Sequence, residues 1–190
     1  MAEVVVLPDS DTARLTAYWG VGGRREVVGA LVKSVRRFPG GGAIDVTRLL
    51  PPLPRRLVYT YPQISGIELS SANSKFNCCW TALNFFNASP DDRLADIETA
   101  LRAIGTDYDP VGEPTRLGDL IVIKDEQGKL VHVAAYVADD IAFTKNGIDY
   151  TQPWILQRLP DMIGSYRVRY PAKPPLNVSF CRRRGLVNSL

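Results

Sequence analysis

The stretch Cys78-Cys79-Trp80-Thr81-Ala82-Leu83-Asn84-Phe85-Phe86 carries no charge and, wound as a helix, is apolar on nearly every side. Such a helix has no face to offer to water, so the rest of the chain must surround it. The 190 residues leave room for one core of that kind and little reason for two. We read residues 1–190 as a single domain: an N-terminal extension or subdomain over 1–55, a core over 56–170 and a basic C-terminal tail over 171–190.

Periodicity predicts what surrounds the helix. The run Val4 to Leu7 reads as a short strand ended by Pro8 and Asp9, and a helix is expected after it. Gly23 to Phe38 places Val27, Val28, Leu31, Val32 and Val35 at helical spacing. Three prolines between Leu49 and Pro54 predict a rigid extended connection, and Leu57 to Tyr61 a strand. Pro90 to Ile104 reads as a helix capped by Ser89, with Leu94, Ile97, Leu101 and Ile104 as its buried stripe and Gly105 as its stop. Leu120 to Ile123, Leu130 to Ala138 and Ile141 to Asn146 predict an antiparallel meander over 118–147.

Composition excludes several function classes. Charged residues are 23% and hydrophobic residues 45%, as in ordinary globular domains. The net charge of +3 is spread over pairs such as Arg24-Arg25, Arg36-Arg37 and Arg55-Arg56 and the run Arg182-Arg183-Arg184, which read as solvated faces. There is no basic stripe interleaved with aromatics, which argues against nucleic acid as a partner. No apolar run approaches the ~20 residues that cross a bilayer, so no membrane partner is expected. The start lacks a basic n-region and a full apolar h-region, giving the expectation of a soluble chain that is cytoplasmic as synthesised, without a signal peptide. Three cysteines, two of them adjacent, read as free thiols, and with a single histidine a zinc site is not expected. No cofactor is implied.

The residues that could carry chemistry are few. A cysteine becomes a nucleophile when its thiolate is stabilised, and a helix start beside an imidazole does that. Cys78 and Cys79 lie where the apolar helix begins, with Asn77 placed to cap it. His132, the sole imidazole, lies on a predicted strand, and Asn146 on the next strand could accept from it. Taken one at a time these residues have plainer readings. Adjacent cysteines in an apolar helix are commonly core, a strand histidine is commonly structural, and Asn146-Gly147 is a turn dipeptide.

Their order is more informative. Asn77-Cys78-Cys79-Trp80-Thr81-Ala82-Leu83, then Gly118-Asp119-Leu120-Ile121-Val122-Ile123, then His132-Val133-Ala134-Ala135-Tyr136-Val137, then Phe143-Thr144-Lys145-Asn146-Gly147 resembles the papain-like cysteine peptidase superfamily. The likeness is nearest to its NlpC-like and CHAP-like bacterial cell-wall hydrolases, and it covers roughly residues 70 to 150. It implies an α+β fold, papain-like, in which the nucleophile-bearing helix packs on an antiparallel sheet. The catalytic residues it implies are Cys78, His132 and Asn146. Cys79, which precedes Trp80, and Thr144, which fits the spacing of the NlpC-like branch, stand as alternatives. Cys79, Leu83 and Phe86 share one helical face as a core stripe, which favours Cys78 as the residue facing a cleft. The oxyanion would be held by the nucleophile's N–H and by Asn73 or Asn77.

The activity implied is cysteine-dependent amide hydrolysis through a thioester, on a peptide or peptidoglycan-like substrate. Acyl transfer from the same thioester, or a non-catalytic binding protein on the same fold, are the other readings. A cell-wall substrate would require delivery by a lysis system or a dedicated secretion machine, and a delivered toxin would imply an immunity or inhibitor protein.

Overall fold

A computed structural model describes residues 2–62, 76–169 and 176–186. The N-terminal third begins with β1 (Glu3–Val6), paired antiparallel with β2 (Gly42–Asp45). Between these strands run α1 (Thr12–Trp19), capped by Asp11, and α2 (Arg25–Arg36). The buried stripe of α2 is narrower than expected: Val28 and Val32 are interior, while Val27 is 73% exposed. Arg24, read above as part of a solvated pair, is instead an internal clamp. Its guanidinium donates to the carbonyl oxygens of Trp19, Val21 and Leu49 at 2.7, 3.1 and 2.7 Å.

Two expectations for residues 49–61 are corrected. In place of the extended connection there is a short helix, α4 (Pro52–Leu57), which follows α3 (Val46–Leu49). Pro52 and Pro54 fall in the first turn of α4, where a missing N–H costs no intrahelical hydrogen bond. After Leu57 the chain turns: Tyr59 has φ +62°, outside strand geometry, and the Thr60 hydroxyl donates back to the Leu57 carbonyl at 2.6 Å.

The apolar helix forms as α5 (Cys78–Leu83), ending three residues short of the expected Phe86, and every residue of it after Cys78 is buried. The single helix expected from Pro90 is broken. A 3₁₀ turn, Asp92–Ala95, precedes α6 (Ile97–Asp107), and the two parts have separate caps, Asp91 and Asp96. Each aspartate side chain accepts a backbone N–H, Asp91 from Arg93 and Asp96 from Thr99, so each caps its own segment. Its buried face is also shifted: Ala100 is interior, whereas Ile97 is 54% and Leu101 38% exposed, and the helix runs past Gly105.

The remaining strands are β3 (Tyr108–Val111), β4 (Leu120–Lys124), β5 (Leu130–Ala138), β6 (Ile141–Lys145), β7 (Trp154–Arg158) and β8 (Asn177–Arg183), with α7 (Leu159–Arg169) before β8. They make one antiparallel sheet in the order β3-β8-β4-β5-β6-β7. The meander β4-β5-β6 follows the sequence expectation. The basic tail does not, because Asn177–Arg183 is a strand inserted between β3 and β4. The molecule is therefore of the α+β class, with helices on both faces of an antiparallel sheet.

Side-chain alternation on β5 assigns the two faces. Val133, Ala135 and Val137 pack towards α5 and the N-terminal elements, in clusters that include Leu83, Trp80, Val6 and Trp19. Ala134 and Tyr136 pack with Met162 and Tyr166 of α7 on the other face. No described helix is long and apolar enough to cross a membrane.

Candidate active site

Local sequence fixes where α5 begins. Asn77 is extended, its side-chain oxygen accepts from the Trp80 N–H at 2.9 Å, and its amide nitrogen donates to the Ala95 carbonyl at 2.6 Å. The first turn is tied to the sheet as well. The Thr81 hydroxyl donates to the Asn77 carbonyl at 2.8 Å and accepts from the Trp154 indole N–H at 2.9 Å, so a residue of β7 holds the front of the helix. Asn77 is thus a cap whose amide is already engaged, which removes the basis for giving it an oxyanion role. Asn73 lies outside the described residues.

The two cysteines are separated by environment. Cys78 is partly exposed and Cys79 is buried. The Cys79 thiol donates to the Cys78 sulfur, and this contact, ahead of the nearby His132 imidazole and the Val133 backbone N–H, holds the Cys78 thiol well below the ordinary cysteine value despite burial. The same contact, together with burial, pushes Cys79 upward. Of the two sulfurs, Cys78 is the one that ionises.

His132 meets Cys78 by an unexpected route. By strand alternation its side chain belongs to the α7 face, opposite α5. β5 pairs with β6 only over Ala135–Ala138, so Val133, paired with Val122 of β4 on one side, has no β6 partner on the other, and its backbone N–H serves the Cys78 sulfur. Buried His132 bridges the parting strands: its Nε2 lies 2.7 Å from the Thr144 hydroxyl and its Nδ1 2.8 Å from the Tyr166 hydroxyl. The Tyr166 ring also stacks on the imidazole, with centroids 4.5 Å apart.

This corrects the assignment of Asn146 as the direct partner of the imidazole. Thr144, carried as the alternative, is the residue in contact. Asn146 stands one step behind, its carbonyl oxygen accepting from the Thr144 hydroxyl at 3.2 Å and its amide donating to Gln157 at 2.6 Å. The order of donors fixes a tautomer. Thr144 has one hydroxyl hydrogen and gives it to Asn146, so the proton between Thr144 and His132 must sit on Nε2.

Three contributors were not anticipated as such. Lys145 is fully buried, its ammonium donating to the carbonyls of Gly147 and Asp149 at 2.9 and 2.8 Å and lying 5.9 Å from the Trp154 ring centre. Burial lowers it to about 8; the Asp149 carboxylate and then the Cys78 sulfur act against that shift, which places a cation within electrostatic range of the sulfur. Its position before Asn146 in a strand hides it, since a lysine there reads as solvent-facing. Tyr166 lies on a helix the sequence did not disclose. Asp119, within the Gly118-Asp119-Leu120 motif, is buried and pinned by Arg182 at 2.7 Å and by the N–H groups of Thr115 and Arg116. Gly118, at φ +85°, leaves the space that the Phe86 ring fills; a Cβ there would collide with it.

A cavity of ≈ 470 Å³ opens on the flank of α5, lined by Leu53, Arg56, Thr60, Phe76, Trp80 and Trp154. Among the described residues no group of three histidine, cysteine, aspartate or glutamate side chains gathers as a metal site. The fold is α+β, with Cys78 at the start of a buried helix and His132 on β5, the strand that helix packs against. No protein-family profile matches the chain, and neither curated proteins nor solved structures give a match.

Proposed function

We propose that the protein is a cysteine-dependent amide hydrolase on a papain-like fold, acting on peptidoglycan stem peptides or on their link to the glycan. The observation that carries this reading is the Cys78 sulfur, heading a buried helix, with its proton affinity lowered first by the Cys79 thiol and then by the sole histidine. In the reaction the thiolate attacks the amide carbonyl carbon. Protonated His132 gives its Nδ1 proton to the leaving nitrogen as the C–N bond breaks, leaving a thioester. His132 then takes a proton from water, the hydroxide forms the acid, and the C–S bond breaks to return the thiolate. Thr144 and Asn146 keep the Nε2 proton in place and so leave Nδ1 to do the exchanging.

The order of motifs and the meander that carries them support the papain-like assignment. Digestion of purified muropeptides, read by mass spectrometry, is the test. Wild type is expected to release fragments that Cys78→Ala does not, while Cys79→Ala still releases them. An intact muropeptide pool with all three proteins would sink the peptidoglycan reading. If the pool gains mass only when an amine acceptor is added, the thioester is resolved by acyl transfer.

A further inference from the structure

The hydrogen-bond directions around His132 leave one question that the hydrolase reading does not address. With the ring proton on Nε2, the imidazole has a single lone pair, at Nδ1, and any proton leaving the Cys78 thiol must arrive there. The structure already has an occupant at that atom: the Tyr166 hydroxyl, 2.8 Å away. An imidazole lone pair accepts one good hydrogen bond at a time. We propose that Tyr166 is a positioning residue that holds the proton-accepting nitrogen of His132 in the resting site, so that Cys78 and Tyr166 compete for it.

The geometry supports a latch in preference to simple packing. Tyr166 and Met162 of α7 are buried against β5 and β6, and Tyr166 stacks on the same ring it donates to, which fixes the phenol relative to Nδ1. The ring is clamped from Nε2 by Thr144, so it cannot swing away to free the lone pair. What can move is the phenolic hydrogen: the O–H turns aside, the thiol proton passes to Nδ1, and the thiolate remains opposite an imidazolium. No bond to carbon is made or broken in this step. The titratable groups bearing on the pair are Cys78 and Cys79 from α5, Lys145 from β6 and Tyr166 from α7. This inference deepens the hydrolase reading and rests on it for its purpose, but its test does not require turnover.

Because the chain has one histidine, protein labelled with ¹⁵N at the imidazole gives one pair of ring-nitrogen resonances. In the native protein the proton is expected on Nε2. Tyr166→Phe keeps the stacking ring and removes the donor, so the Nδ1 resonance should move while Nε2 stays. Alkylation of Cys78 by iodoacetamide near neutral pH should then become faster, by about three- to tenfold, as expected for removing one competing hydrogen bond. Slower or unchanged alkylation, or an unmoved Nδ1 resonance, overturns the proposal. If Tyr166→Phe does not fold, the native spectrum still decides, since a ring protonated on Nδ1 and bare on Nε2 is incompatible with it. Failure of muropeptide cleavage alongside the expected resonance and alkylation changes would remove the peptidoglycan reading and leave the latch.

Discussion

Cys78 owes its acidity first to a neighbour in sequence, and that is testable at the level of single atoms. Cys79→Ala removes the thiol that donates to the Cys78 sulfur, so alkylation of Cys78 at pH 7 is expected to fall about tenfold, with Cys79→Ser retaining much of the rate. In the native protein the alkylation profile should reach its plateau well below pH 9, the ordinary thiol value. Lys145→Met leaves two half-buried carbonyls without their donor and an apolar chain in place of a buried ammonium, and should lower stability by about 2 kcal/mol in urea unfolding at pH 7. The sign of its pH dependence follows from the shift. The folded lysine releases its proton near 8 and the unfolded one near 10.5, so between these values the unfolded chain binds more protons and rising pH favours folding. The stability difference between wild type and Lys145→Met should therefore grow over that window. Of these roles, the cysteine pair, His132 and the Asn77 cap were legible in the sequence because each has a chemistry of its own. Thr144 over Asn146 was not, since strand alternation gives both residues the same face and only side-chain reach separates them.

At the scale of elements, legibility tracked how local the deciding interaction is. The β4-β5-β6 meander was readable because turn residues and apolar runs settle it within 118–147. The Pro90 helix was misread because Asp96 had a cap to make with Thr99 that outweighed continuity of the helix. β8 was missed because three arginines at its end suggested a solvated tail, whereas the Arg182 guanidinium reaches the buried carboxylate of Asp119, just before the neighbouring strand β4. That ion pair joins β8 to the start of β4. Arg182→Met should destabilise the protein by about 2 kcal/mol by thermal or urea unfolding, short of the full effect of a wholly buried pair because the guanidinium is about one quarter exposed and two backbone N–H groups still serve Asp119. Asp119→Asn/Arg182→Met together should cost less than the sum of the two single changes.

For the whole molecule, the N-terminal third and the meander share one core: Val6, Trp19, Leu49 and Val32 belong to the same cluster as Trp80, Phe85, Phe143 and Trp154. Neither part is expected to survive alone. Deletion of residues 176–190 should abolish the cooperative thermal transition followed by circular dichroism, a loss that a dispensable tail would not cause. The reason reaches back to strand order. β3 and β4 never touch; each is completed by a strand synthesised some seventy residues after β3. On a ribosome, the growing chain would present two unzipped backbone edges until that last piece emerged, and in the interval it would be open to capture by chaperones or by another nascent copy.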